Sequence, residues 1–397
     1  MTAARQRVGC WANARAAACL TVALVPAIAL TALYAGPAAA AEPIGGPRLG
    51  SARIIVAPGV TPPPDVADSW LVADLDSGKI LAAKAPHVLK RPASTLKTLT
   101  AVTLLPVLDK AANYVAVDAD VRAEGTRVGM IEKTSYTVDD LWKALLLVSA
   151  NDAAHALGEV AGGQAKATAA MRTEARTLQA LDTTVANTSG LDAKRQFSSA
   201  YDLALFGRAG MKMPEFRQYV GLAHSDFPGK PIKGAAAGTP RPRIPIETKN
   251  RLLLDGYPGI IGIKTGYTTL AGNTYIGAQT AGGHTVIITM MHTHQRLEPS
   301  AKALFSWAFH HLNAPGVGTL VDPIAPVAAT SGGTTARQPA AQGPTTPAAA
   351  GAPLPFGPIA LVALGAGVLG ASTLSLSRRG RRRRARVSPL GLPPLRR

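Results

Sequence analysis

Three short clusters in this 397-residue chain carry side chains that could act on a substrate. The first is Ser94-Thr95-Leu96-Lys97, preceded by Arg91-Pro92-Ala93. On a helix, residues three apart share a face, so the lysine amine can reach the serine hydroxyl. A serine is a poor nucleophile until a neighbour takes its proton. Lysine can be that base only if burial or a second cation lowers its pKa well below the free value of about 10.4. A chain of this size holds on the order of one S-x-x-K by chance, so alone the cluster could be an exposed first helical turn. The second cluster is Ser149-Ala150-Asn151, a polar triplet set between Leu145-Leu146-Leu147-Val148 and Asp152-Ala153-Ala154. It offers a proton relay from Ser149 and an amide from Asn151, or simply a helix N-cap. The third is Lys264-Thr265-Gly266, after Gly259-Ile260-Ile261-Gly262-Ile263. Here a strand delivers a point charge suited to a carboxylate, a hydroxyl, and a glycine that lets a substrate backbone come close. An ordinary strand ending in a turn is the alternative, although K-T-G arises by chance in only roughly one such chain in ten.

Other hydrolytic chemistries find less support. There is no H-E-x-x-H and no G-x-S-x-G. His292-Thr293-His294 lacks a third ligand at metal spacing and reads as a surface strand end. His155 falls in a helical stretch and reads as a packed core residue. Both cysteines, Cys10 and Cys19, lie in the first twenty residues. If that segment is removed, disulfides, thiolate catalysis and cysteine metal sites are excluded. Gly365-x-Gly367-x-x-Gly370 spells a dinucleotide fingerprint, but it lies in an apolar run with no preceding strand and is rejected.

The clusters need elements to hold them. Trp70 to Leu75 and Ile80 to Ala82, joined by Asp76-Ser77-Gly78-Lys79, predict a hairpin. A helix is expected from Ser94 to Leu105, stopping before Pro106. Further helices are expected over Val138 to Val160, Ala165 to Leu181 and Ser199 to Arg208. Strands return at Tyr275 to Ala278 and Thr285 to Thr289, around the turn Ala281-Gly282-Gly283, and Ser300 to Leu312 reads as a final helix. Strands, helices, strands and a last helix predict an α/β (α+β) class with a mixed sheet and a helical insert. Residues 42–66 read as an extended Pro/Gly leader and 67–312 as one folded domain. Residues 313–353, rich in Ala, Pro, Thr and Gly, read as a linker spanning roughly 35 Å.

Charge accounts for the two ends. The formal net charge is +18, which would suit nucleic acid. Its excess is terminal: Arg5, Arg7 and Arg15 open the chain, nine arginines follow Ser377, and every acidic residue lies between Glu42 and Asp322. Arginines, then the apolar run Ala16 to Ala35, then Ala38-Ala39-Ala40-Ala41 make residues 1–41 a secretory signal peptide. No charge occurs from Gln338 to Ser377. Within that stretch, 354–377 is apolar enough to span a bilayer, which takes about 20 residues. The arginine-rich tail, 378–397, then stays in the cytoplasm and places the folded domain outside the cell membrane.

Taken in order, S-x-x-K, S-x-N and K-T-G resemble the motif set of penicillin-binding proteins and class A β-lactamases. The surrounding residues extend the likeness to low-molecular-mass D-alanyl-D-alanine carboxypeptidases. They include Ser149-Ala150-Asn151-Asp152-Ala153-Ala154, Asn187-Thr188-Ser189-Gly190-Leu191, Ser199-Ala200-Tyr201-Asp202-Leu203-Ala204, Thr248-Lys249-Asn250-Arg251-Leu252 and Gly262-Ile263-Lys264-Thr265-Gly266-Tyr267-Thr268. The resemblance covers about 67–312. It implies a β-lactamase/DD-peptidase-like fold, an antiparallel sheet with flanking helices and a helical subdomain. It implies Ser94 as the acylated nucleophile, Lys97 as its base, and Ser149 and Asn151 on the opposite wall. Lys264 and Thr265 would hold the terminal carboxylate of the substrate, Gly266 and Tyr267 would line the same substrate site, and the backbone N–H groups of Ser94 and Tyr267 would form the oxyanion hole. No metal or organic cofactor would be needed. The substrate would be the stem peptide of peptidoglycan, with β-lactams as inhibitors. The second β-rich domain and amphipathic anchor of many members are replaced here by linker and span.

Two other readings compete. A β-lactamase would want a carboxylate to activate water, and Glu159 and Glu174 lack the E-x-x-x-N context. A catalytically silent penicillin-binding sensor would be free to lose Ser94 or Lys97. A nucleic-acid binder fits least, since aromatic residues are 5% and the basic run abuts the apolar one.

Overall fold

The computed structural model describes residues 42–236 and 239–324. The expected signal peptide (1–41), membrane span (354–377) and basic tail (378–397), and most of the 313–353 linker, lie outside these. Among the described residues no helix is long and apolar enough to cross a membrane.

The main sheet is antiparallel and runs, edge to edge, Ile54–Val56, Lys79–Lys84, Ala67–Asp74, His284–Thr293, Gly272–Ala281, Ile260–Thr268; Gly318–Thr319 adds to Lys79–Lys84 off this path. Successive side chains of a strand face opposite sides, and the apolar residues divide accordingly. Leu71, Ala73, Ile80, Ile276, Ala278 and Ile287 pack into the core shared with the helical part. Trp70, Val72, Leu81, Tyr275, Val286 and Ile288 pack on the other face against Ala301, Leu304, Phe305 and Ala308 of the helix Leu297–His310. Both faces are thus covered, which explains why Ala67–Asp74 is buried almost end to end. The turn Gly282-Gly283 has positive φ at both residues, 58° and 80°, as a two-residue hairpin requires. The expected hairpins form, with strands up to four residues longer at their ends, while Leu75 falls just outside Ala67–Asp74.

Helices Lys97–Leu104, Asn151–Val160, Gln164–Thr177 and Ala200–Lys212 make up the helical part. Ala200–Lys212 lies on the sheet, capped by Ser199, whose hydroxyl accepts from Asp202 N–H at 3.1 Å. Thr289 of the sheet donates to the Ala200 carbonyl at 2.8 Å.

Several expectations need correction. The helix expected from Ser94 starts instead as a 3₁₀ turn, Ala93–Leu96, and becomes α-helical only at Lys97. The helix expected over Val138 to Val160 is broken. Val138–Lys143 passes into a π-helical turn, Ala144–Val148, and Ser149 is left-handed at φ 67°. Ala150, not Ser149 or Asn151, occupies the cap of Asn151–Val160. The apolar pattern runs straight through this break because Leu145, Leu146 and Leu147 are all buried. The break is held by backbone contacts from elsewhere, Lys249 N–H to Leu147 O at 2.9 Å and Asn151 N–H to Thr126 O at 2.7 Å.

The domain limits also move outward. Residues 42–66 are not a free leader: Pro47–Gly50 forms a turn, Leu49 is buried, and Ile54–Val56 extends the sheet. At the other end, 313–324 is part of the fold. Val317 and Leu320 are buried, and Lys79 Nζ donates to the carbonyls of Leu312 and Ala314 at 2.7 and 3.2 Å. Composition hides both segments because the few residues they bury, such as Leu49, Ile55, Val317 and Leu320, are scattered among Pro and Gly and show no period. His155 is not a core residue either. It is half-buried and bonded through Nδ1 to the Asp120 carboxylate at 2.6 Å, which raises its pKa despite partial burial. His292 and His294 do end a strand at the surface, and His294 pairs with Asp68 at 2.8 Å.

Leu320 tests the corrected boundary. Its side chain is 1% exposed and its N–H donates to Gly78 O at 2.7 Å. Leu320→Ala is expected to cost about 2–5 kcal/mol, the range for a buried leucine truncation, in urea unfolding. An unchanged midpoint would return residues 313–324 to the linker.

Candidate active site

Ser94 sits on the 3₁₀ turn and Lys97 at its end. In that geometry side chains three apart eclipse one another, which stacks the amine directly beside the hydroxyl. Lys97 Nζ lies 2.9 Å from Ser94 Oγ, 2.6 Å from Asn151 Oδ1 and 2.6 Å from the Ser189 carbonyl. The last two are pure acceptors, since the Asn151 amide nitrogen is spent on the Glu124 carbonyl at 2.6 Å. A neutral amine has two N–H bonds and one lone pair. In the neutral form the two acceptors would take the N–H bonds, and the lone pair would be left for the Ser94 hydroxyl. The Lys97 side chain is fully buried. Burial, and then the nearby Lys264 cation, push its pKa well below the ordinary value, with Asp152 opposing.

The Ser189 carbonyl is held by its own loop. Asn187 Oδ1 accepts the N–H of Ser189 and Gly190 at 3.2 and 2.9 Å, and Gln196 Oε1 accepts those of Ala186 and Asn187 at 2.9 and 3.0 Å. Gly190 has φ 82°, and a Cβ there would stand 1.9 Å from the Ala93 carbonyl oxygen. No other residue fits.

The K-T-G residues belong to the edge strand Ile260–Thr268, whose open side faces the Ser94 turn. A Cβ on Gly266 would lie 2.8 Å from the Ser94 backbone nitrogen and 2.4 Å from Thr274 Oγ1. The glycine is therefore required by the scaffold itself before any substrate enters. Thr274 on the next strand ties the two parts together by donating to Pro92 O at 2.9 Å. Lys264 is buried at 2% exposure, and burial lowers its pKa to about 7. Its Nζ rests on the Thr265 carbonyl at 2.8 Å.

A cleft of about 310 Å³ opens over these groups, lined by Ser94 and Ser149 and by Thr265, Gly266 and Tyr267. Lys97, Asn151 and Lys264 are buried close behind it. All eight residues singled out in the sequence thus meet at one place. Tyr267 is 66% exposed at its mouth. Thr126, Asn273 and Glu298 also line the cleft and carried no sequence signal, whereas Lys249 lies in the Thr248–Leu252 run that the family likeness includes. The Ser189 and Glu124 carbonyls were missed for a different reason, because a main-chain acceptor leaves no side-chain signature. Asp152 also acts from outside the three clusters. Its carboxylate accepts the N–H groups of Val128, Gly129 and Met130 at 3.1, 2.9 and 3.1 Å, fixing the loop that carries Thr126. Glu159 and Glu174 do not line the cleft. Glu159 accepts instead from Gln164 Nε2 at 3.0 Å.

Comparison with known proteins agrees with this geometry. Residues 58–295 match the model of the D-alanyl-D-alanine carboxypeptidase family of peptidases. The D-alanyl-D-alanine carboxypeptidase DacB2 of Mycobacterium tuberculosis is 38% identical over 270 residues, covering 66% of this chain and 89% of that protein. The crystal structure of a D-alanyl-D-alanine carboxypeptidase from the same organism superposes with a TM-score of 0.61 at 38% identity, over 67% of this chain and 99% of that one. Penicillin binding protein 6B of Escherichia coli gives a TM-score of 0.55 at 28% identity, over 64% of this chain and 80% of that one. The motif order, the cleft and these likenesses converge: the chain belongs to the D-alanyl-D-alanine carboxypeptidase family, serine-type hydrolases of the penicillin-binding fold.

Proposed function

We propose that Ser94 is the residue acylated when this carboxypeptidase removes the terminal D-alanine from a peptidoglycan stem peptide. One observation carries the reading: a fully buried Lys97 whose Nζ lies 2.9 Å from Ser94 Oγ and is held by two further acceptors, Asn151 Oδ1 and the Ser189 carbonyl, with burial pushing its pKa well below the ordinary value. The terminal carboxylate of the substrate would dock at Lys264 and Thr265, placing the penultimate carbonyl over Ser94. Lys97 takes the hydroxyl proton as Ser94 Oγ attacks, a general-base step worth typically 10²–10⁴-fold. Charge develops on the carbonyl oxygen, where the backbone N–H groups of Ser94 and Tyr267 can receive it. Collapse breaks the C–N bond, and D-alanine leaves with a proton delivered from the Lys97 ammonium through Ser149. Water then hydrolyses the ester with Lys97 again as base, returning Ser94. A β-lactam would follow the first half of this course and stay as an ester.

The remaining parts of the reading concern place. The signal-like residues 1–41, the apolar stretch 354–377 and the arginines beyond it support a domain outside the membrane, tethered by 325–353 so that it reaches wall near the bilayer. This suits the substrate, which lies outside the cell.

Two measurements test the chemistry. In a time course with fluorescent penicillin, the full chain is expected to form a persistent covalent adduct that Ser94→Ala abolishes and Lys97→Ala slows by about 10²–10⁴. An adduct that clears within minutes would move the reading to a β-lactamase, and one on Ser94→Ala would overturn the nucleophile. The second is pH dependence. Neutral Lys97 is the active form, so acylation rises with pH through the Lys97 pKa. The Lys264 cation lowers that pKa; Lys264→Gln removes the cation, raises it, and is expected to shift the acid limb of the acylation profile to higher pH. Lys264 itself loses its proton above about 7, so KM for carboxylate-bearing peptides is expected to climb above that pH in the unaltered protein and to lose this dependence in Lys264→Gln. An acid limb that does not move would mean that the two lysines are not coupled.

A further inference from the structure

The loop that presents Ser189 to Lys97 also forms one wall of a second cavity, about 470 Å³ in volume. Four cations line it. Arg172 and Arg176 come from the helix Gln164–Thr177, and Lys194 and Arg195 come from the loop. No carboxylate lines the cavity, and none of the four forms an ion pair among the described residues. Of the neighbouring acids, Asp182 binds His87 at 2.7 Å, Asp192 faces Arg91 at 3.7 Å, and Glu174, between the two helix arginines in sequence, does not line the cavity. Arg172 is fixed in the wall by donating from Nη1 to the Val185 carbonyl at 2.9 Å, which leaves its other guanidinium N–H groups over.

A structural account covers part of this. Arg176 stands in the last turn of its helix, where the carbonyl ends favour a cation. That does not explain Lys194 and Arg195, which the chain brings in from the loop, Arg195 with a left-handed backbone at φ 63°. Like charges gathered around one concavity repel and focus a positive field into it. An anion relieves the repulsion. Its size follows from the volume, which lies within the usual roughly 300–1,000 Å³ of small-ligand sites. Its chemistry follows from three guanidinium forks, which pair bidentately with tetrahedral or planar oxyanions. A diphosphate group brings several charges in a compact shape and matches four cations better than one carboxylate does. Leu181, Val185 and Ala175 supply an apolar flank for whatever carries the phosphates.

We propose that this cavity binds a phosphate-bearing anion of about diphosphate size. The inference is independent of the acyl-enzyme reading, since none of the four cations touches the cleft. A phosphodiester polymer and a phospholipid headgroup present the same chemistry, and the test separates them.

The full chain, purified in neutral detergent at low salt, is titrated calorimetrically with diphosphate. Saturable binding of one diphosphate per chain is expected. Arg176→Gln combined with Arg195→Gln is expected to weaken it at least tenfold. Removing two charges elsewhere, Arg122→Gln with Lys133→Gln, is expected to change it less than twofold. Thermal melts check that both variants fold; if the first does not, the exposed Lys194→Gln replaces it with an expected loss of at least threefold. Competition by a glycerol-phosphate oligomer assigns the site to a polymer, competition by dihexanoyl phosphatidylglycerol assigns it to a headgroup, and competition by neither leaves a small soluble phosphoester. The proposal is overturned if no saturable heat appears, if both double variants weaken binding alike, or if citrate binds as tightly as diphosphate.

Discussion

Everything around the cleft follows from burying one lysine amine. An ammonium placed in a dry interior without a counter-charge costs several kcal/mol, and the protein avoids that cost by letting the amine go neutral. The surroundings of Lys97 are chosen for this. No carboxylate bonds to it; its partners are a neutral amide oxygen, a neutral carbonyl and a hydroxyl. A second cation, Lys264, adds to the shift, and Asp152 opposes it but is engaged by three backbone N–H groups. The same burial that makes Lys97 a base is what requires its acceptors to be held so firmly, since an unsatisfied buried N–H costs about 1–3 kcal/mol.

Those two acceptors and Ser94 come from three separate stretches of chain, and their convergence depends on two places where backbone meets backbone. Gly190 packs against the Ala93 carbonyl, and Gly266 packs against the Ser94 nitrogen. Together they clamp the nucleophile turn between the Asn187–Gln196 loop and the edge of the sheet. The edge position of Ile260–Thr268 matters equally. A strand with both sides paired could not offer main-chain groups to a cleft, and this one keeps an unpaired side next to Ser94.

The helical part contributes a third wall by an irregularity. The π turn at Ala144–Val148 and the left-handed Ser149 reset the direction of the chain, so that Asn151 can face Lys97 while Ser149 lines the cleft. A regular helix would separate residues two apart by about 200° and could not present both to one small site. The rest of the molecule, two apolar layers on opposite faces of one sheet, supplies the rigidity that these close contacts require.

Residue type and spacing marked the candidate chemistry, and the resemblance carried by their order assigned the roles: a serine with a lysine three residues on, a serine and asparagine in an apolar run, and a lysine, threonine and glycine at a strand end. Periodicity also determined the hairpins and the order of strands and helices, because alternation and turn glycines are local signals. What only the tertiary structure decided was everything carried by the main chain. The Ser189 and Glu124 carbonyls, the 3₁₀ start at Ala93 and the break at Ser149 rest on backbone groups, and so does the strand pairing that brings residues 42–66 and 313–324 to the sheet. Every residue carries the same N–H and C=O, so these contacts leave no mark on composition or pattern. The lowered pKa of Lys97 belongs with them, because desolvation is a property of what surrounds the amine once the chain has closed over it.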